Sequence, residues 1–196
     1  MSTDTSGTGD ARERIVAAAA ELIHARGVAG AGLDAILERA GAGKSQLYHY
    51  FDDKADLVRE AEALQARRII EPQIATLDAV RTGEDLRAWA EGVVEWHRRG
   101  GTPGCPVGSF VSHIGSDGEL RRRLDDTLER WVAAIEGAIE RLQAAGELPA
   151  GDPATEALLM ASVIQGGALL ACARCDAGPL RDAVEAALTA VGAPPA

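Results

Sequence analysis

Gly41-Ala42-Gly43-Lys44-Ser45-Gln46-Leu47-Tyr48-His49-Tyr50-Phe51-Asp52-Asp53-Lys54 is the stretch whose reading decides the fold. It holds both lysines of a 196-residue chain that otherwise uses arginine, both tyrosines, and one of the four histidines. Just before it, Leu33 to Gly41 reads as a short amphipathic helix ended by glycine. Helix, glycine turn and polar-aromatic helix are the parts of a helix-turn-helix, whose second helix enters the major groove of DNA. Lys, Ser, Gln, Tyr and His on one short helix can reach phosphates and base edges together. Leu47 and Phe51, four apart, are the expected core side of that helix.

Outward from this stretch the pattern is helical and all-α. Alternating strand runs are missing, and Ala, Leu, Arg and Glu dominate. A first helix is expected from Ala11 to Arg26, with Ile15, Ala18, Ala19, Leu22 and Ile23 as its apolar stripe and Gly27 closing it. Short helices follow near 33–40 and from Lys44 to Tyr50. Asp52 or Asp53 is expected to cap a fourth helix that Pro72 kinks or ends. Further helices are expected over Glu84 to Arg99, Gly118 to Ala145, Ala154 to Arg174 and Pro179 to Val191. Asp152-Pro153 is a start signal for the third of these, and Gly146 a stop for the second. The segment Gly100 to Gly108, with Pro103, Pro106 and Cys105, is the clearest break. Three parts follow: a disordered tail over 1–10, a three-helix head over 11–52, and a larger helical body over 53–196.

The net charge of −10 weighs against nucleic acid only until its distribution is considered. Residues 11–60 hold seven cations against eight acids, and within 39–51 Arg39 and Lys44 meet no acid. A DNA reader needs a local basic footprint, and acid elsewhere suppresses non-specific binding. No stretch was expected to approach the roughly 20 uninterrupted apolar residues of a membrane span. Met1 to Asp10 lacks the basic and apolar parts of a signal peptide. Three cysteines, Cys105, Cys172 and Cys175, imply no disulfide framework and fit a reducing cytoplasm.

Arg12-Glu13-Arg14-Ile15, Arg26-Gly27 and the 41–54 motif, in that order, resemble the amino-terminal domain of TetR-family transcriptional repressors. Gly104-Cys105-Pro106-Val107-Gly108-Ser109 with Gln165-Gly166-Gly167 is similar to the LmrA/YxaF-like branch of that family. The resemblance implies that Lys44, Ser45, Gln46 and Tyr48 read bases, and that His49, Tyr50 and Lys54 grip phosphates. It also implies an inducer pocket in the body. One departure is Ala31-Gly32, where relatives place Ser or Thr to cap the second helix and touch a phosphate. Backbone N–H groups can substitute there.

In the body, Trp89, Val93 and Trp96 share one helical face, and Phe110, Trp131 and Met160 are the other large adaptable side chains. Singly they read as core. As a set they can line a cavity for an aromatic or amphipathic molecule, with His97, His113 and Gln165 as its polar groups. Gly166, Gly167, Ala168, Leu169 and Ala171 are the expected close-packing face of the last two helices, half of a four-helix homodimer interface. Cys172-Ala173-Arg174-Cys175 has no second pair to complete a zinc site, so buried inert thiols are the simpler reading. Arg121-Arg122-Arg123 reads as a solvated face. No His-Glu-x-x-His, Gly-x-Ser-x-Gly or phosphate-loop motif is present, so no enzyme, cofactor or metal is expected. The expectation is a ligand-responsive repressor, released from a pseudo-palindromic operator in double-stranded DNA by a small molecule. Two alternatives are a metal- or thiol-responsive regulator and a helical small-molecule binding protein without DNA binding.

Overall fold

The computed structural model describes residues 6–99, 104–113, 115 and 117–195. Among these residues there are nine α-helices and no strand. They are α1 (Ser6–Gly30), α2 (Leu33–Ala40), α3 (Lys44–Tyr50), α4 (Lys54–Gln65), α5 (Glu71–Ala79), α6 (Gly83–Arg99), α7 (Gly118–Ala144), α8 (Pro153–Arg174) and α9 (Gly178–Ala190). The helix α1 begins at Ser6, which shortens the expected tail. Residues 1–5 of that tail, and Gly100 to Pro103 of the expected break, lie outside the described residues.

Packing divides the chain into two units, Met1–Ile69 with Pro106–Leu124, and Ile70–Cys105 with Asp125–Ala196. The first unit runs past residue 52. The reason is that α4 buries Leu57, Val58 and Ala61 and packs on α1. A 3-10 turn at Gly108–His113 packs on α1 as well.

In the first unit α1 is the central helix, in contact with α2, α3 and α4. Ile15, Ala19 and Ile23 are fully buried on it. Gly27, at φ 69°, breaks the helix where its apolar stripe ends. Gly41, at φ 60°, closes α2 by donating its N–H to Glu38 and Leu37 carbonyls. Asp53 caps α4, its carboxylate accepting the Asp56 N–H at 2.8 Å. Phe110 of the 3-10 turn is fully buried, and Ser109 Oγ lies 3.2 Å from His24 Nδ1. Asp117 holds the start of α7 by accepting the Glu119 and Leu120 N–H groups, both at 3.0 Å. Its other oxygen accepts from Arg59 of α4 at 2.8 Å. Those bonds, with Leu120 first and Arg59 next, outweigh burial and hold the Asp117 carboxyl below its ordinary value.

Between α4 and α5 the chain takes a π turn at Ala66–Ile70, and Pro72 sits in the first turn of α5. Proline has no N–H to return to the Arg68 carbonyl, and the wider turn absorbs that missing bond. Thus the expected kink is a change of helical pitch two residues before the proline.

In the second unit α8 and α9 form the most extensive helix pair. A Cβ at Gly167 would lie 3.0 Å from the Leu180 Cα and 3.2 Å from the Ala183 Cβ, so this glycine permits the close approach. Arg87 of α6 is buried and binds Glu185 of α9 at 2.6 Å and the Pro194 carbonyl at 2.6 Å. Trp131 of α7 donates its Nε1–H to Gln73 of α5 at 3.0 Å. The helix α8 is long enough, and on average apolar enough, to cross a membrane. Glu156 and Gln165 interrupt its apolar run without lowering its average much.

Candidate nucleic-acid interface

The geometry of α3 follows from two buried anchors. Leu47 and Phe51 are each 3% exposed and seat the helix on the first unit. That leaves Lys44, Ser45, Gln46, Tyr48 and His49 exposed, with Tyr48 the most exposed large apolar side chain of the unit at 63%. Tyr50 is half-buried and meets the His49 ring in a T-shaped contact at 4.8 Å between centroids. All seven residues expected to touch DNA thus belong to one unit, and six sit on one helix.

Gln46, Lys44 and Lys54 already hold hydrogen bonds or ion pairs. Gln46 Oε1 accepts the Gly43 backbone N–H at 3.0 Å, capping α3. Lys44 Nζ lies 3.0 Å from Asp34 Oδ1, and that hydrogen bond followed by the carboxylate's charge holds the ammonium above its ordinary value. Both partners are well exposed, so the pair is weakly held and a phosphate can displace the carboxylate. Lys54, the seventh residue, is half-buried and donates to the Val28 carbonyl at 2.9 Å. One of its three donors therefore closes the end of α1, a task the sequence did not disclose. At the start of α2, Gly32 supplies no side-chain cap.

The site is framed by two arginines to which the sequence assigned no contact. Arg12 lies 5.6 Å over the Phe51 ring and binds Glu60 at 2.6 Å, tying α1 to α4 behind α3. Arg39 pairs with Glu21.

The candidate ligand residues are divided. Phe110 and His113 fall in the first unit, whereas Trp89, Val93, Trp96, His97, Trp131, Met160 and Gln165 fall in the second. Phe110 and His113 join the first unit because the 3-10 turn carrying them packs on α1. Trp89, Val93, Trp131 and Met160 are buried, and Trp96 is 37% exposed. His97 Nδ1 is 2.8 Å from the Val93 carbonyl. Trp89 Nε1 is buried with no hydrogen-bond partner among the described residues.

Burial also sorts the expected dimer face. Gly167, Ala168 and Ala171 are buried in the chain's own second unit, with Gly167 against α9, which corrects their assignment to a partner-facing surface. Gly166 and Leu169 are exposed, and with them Leu158, Leu159 and Leu170 form one uncovered apolar stripe. Cys172 and Cys175 are exposed rather than buried, and Cys175 ends α8 at φ 51°. Among the described residues no three His, Cys, Asp or Glu side chains gather as a metal site.

An exposed polar-aromatic helix, set behind a glycine turn and packed on α1, defines a helix-turn-helix DNA-binding protein. Residues 15–61 match the family model described as bacterial regulatory proteins, tetR family, and residues 83–187 match the Tetracyclin repressor-like C-terminal domain. The chain belongs to the TetR family of transcriptional regulators, which is not a family of enzymes. It is 26% identical over 178 residues to the HTH-type transcriptional regulator LmrA of Bacillus subtilis, covering 88% of this chain and 92% of that one. It is 30% identical over 149 residues to the transcriptional regulator AcuR of Cereibacter sphaeroides, covering 71% and 66%. A crystal structure of a regulatory protein TetR from Rhodobacter sphaeroides superposes with a TM-score of 0.83 at 25% identity, over 91% of this chain and 97% of that one. The reduced form of Escherichia coli NemR shares the fold with a TM-score of 0.84 at 21% identity, over 95% and 100%.

Proposed function

We propose that this chain is a homodimeric repressor that binds a pseudo-palindromic operator and is released by a small aromatic or amphipathic molecule. One observation carries the reading. The two surfaces that such a protein must leave uncovered on each protomer, a polar recognition helix and an apolar dimer face, are uncovered here as α3 and as the leucine stripe of α8. Pairing α8 and α9 with those of a second copy gives two heads, one for each of two successive major grooves. A DNA-binding regulator of a bacterial family works in the cytoplasm, where the DNA is.

The ligand belongs to the second unit. Trp89 Nε1 is a buried donor without a hydrogen-bond partner among the described residues, and such a group favours a ligand that brings an acceptor. Trp89, Val93, Trp131 and Met160 supply the apolar surroundings suited to an aromatic or amphipathic body. Release requires the ligand to favour the DNA-incompetent arrangement. A differential of about 3 kcal/mol weakens operator binding roughly 150-fold, and operator weakens ligand binding by the same factor.

The test is selection of bound duplexes from a random pool by the full-length protein, followed by sedimentation of the complex. A symmetric site bound by two protomers is expected. Absence of any selected sequence, or binding by one protomer, refutes the reading. Aromatic compounds are then screened by tryptophan fluorescence with and without that duplex. Equal affinity in the two titrations excludes a compound as the inducer.

A thiol-responsive reading is favoured by one contact: a Cβ at Gly104 would lie 3.7 Å from Cys172 Sγ, which brings the Gly104-Cys105 segment beside an exposed thiol. Alkylation of Cys172 and Cys175 that leaves operator binding unchanged refutes it.

A further inference from the structure

We infer that Gln46 reads its base as a hydrogen-bond donor only, and so selects guanine at one position of each operator half-site. The inference rests on α3 being the recognition helix, as proposed above. A free primary amide offers an acceptor and two donors. It therefore fits adenine, whose major-groove edge sets the N7 acceptor beside the N6 donor. In this protein the amide oxygen is occupied. Oε1 accepts the Gly43 N–H at 3.0 Å, and Gly43 has no side chain with which to cap α3 itself.

That leaves Gln46, an exposed residue, with Nε2 and its two N–H donors, without a partner among the described residues. Two donors match the two acceptors of guanine, O6 and N7. Thymine offers one acceptor beside a methyl group, adenine one acceptor beside a donor, and cytosine a donor. Turning the amide to suit adenine would break the Gly43 bond and strand a backbone N–H against the duplex. The local fold thereby chooses one of the two base pairs that a glutamine can otherwise read. Replacing the guanine by adenine is expected to weaken binding about 10- to 100-fold, the range of one good bidentate pair.

The decisive variant is Gln46→Glu. A carboxylate still accepts the Gly43 N–H, but its other oxygen is an acceptor. Duplexes are selected from a random pool with full-length wild type and with the variant, both shown to be folded by circular dichroism. The wild type is expected to require guanine at one position per half-site, and the variant to move that position alone to cytosine, whose N4 donates. Should the new charge abolish binding, Gln46→Ala serves with a second probe. Replacing the guanine by 7-deazaguanine removes N7, and should weaken wild type but not Gln46→Ala. Adenine preferred by wild type, an unshifted Gln46→Glu profile, or equal 7-deazaguanine sensitivity in wild type and Gln46→Ala would overturn the inference. A wild type that selects no sequence refutes the recognition-helix reading first, which separates the two failures.

Discussion

Leu169→Glu puts the proposed assembly at risk most directly. In the single chain Leu158, Leu159, Leu169 and Leu170 are 59%, 41%, 69% and 50% exposed, together about two whole leucine side chains. Full burial of a leucine is worth roughly 1.5–3 kcal/mol. Covering the stripe therefore contributes about 3–6 kcal/mol per protomer, and about twice that across a two-fold interface where both copies bury the same patch. Association consumes much of this in lost freedom. Leu169 alone accounts for about a third of the stripe, or roughly 1–2 kcal/mol per protomer. Since the substitution occurs in both copies, the dimer loses about 2–4 kcal/mol before the cost of desolvating two carboxylates, a rise in Kd of roughly 30- to 1,000-fold. Leu169 is exposed within its own chain, so thermal unfolding of the monomer should hardly change. Sedimentation equilibrium across nanomolar to micromolar protein measures the Kd, and operator binding should fall with it. A variant that dimerises as tightly as wild type, or a wild type that is monomeric at micromolar concentration yet binds operator tightly, refutes the reasoning.

Other expectations follow from single contacts. Lys54→Ala should lower the salt slope of operator binding by about one unit per protomer. It should also destabilise the first unit by roughly 1 kcal/mol through the lost bond to Val28, whereas an unchanged slope would confine Lys54 to the structural role. Gly167→Ala should destabilise the second unit by about 1–3 kcal/mol in urea unfolding, because its methyl meets the Leu180 backbone. Asp117→Asn keeps a capping acceptor but removes the charge facing Arg59. The native carboxyl titrates below its unfolded value of 3.8, so its contribution is present above that pH and is lost as pH falls through the lower native value. Thermal midpoints of wild type and Asp117→Asn should therefore differ near neutrality and converge in acid. A gap that persists in acid would assign the loss to shape rather than charge.

The sequence by itself determined the head and the helix pattern. Gly27, Gly41 and Gly146 take left-handed backbone where each helix was expected to stop. Leu47 and Phe51 are buried as their spacing required, and Asp53 caps α4. These are local matters, settled by conformational preference and a 3.6-residue period within a few neighbours. Tertiary structure decided the rest. The segment 106–124 joins the DNA-binding unit only because partners far away in sequence hold it: His24 lies 85 residues from Ser109, and Arg59 lies 58 from Asp117. The apolar α8 gave no sign of which residues would face α9, and packing turned Gly167 inward while leaving Leu169 in solvent. Periodicity distinguishes faces only where polarity differs between them, and on a helix apolar all round only a neighbour can choose the buried side.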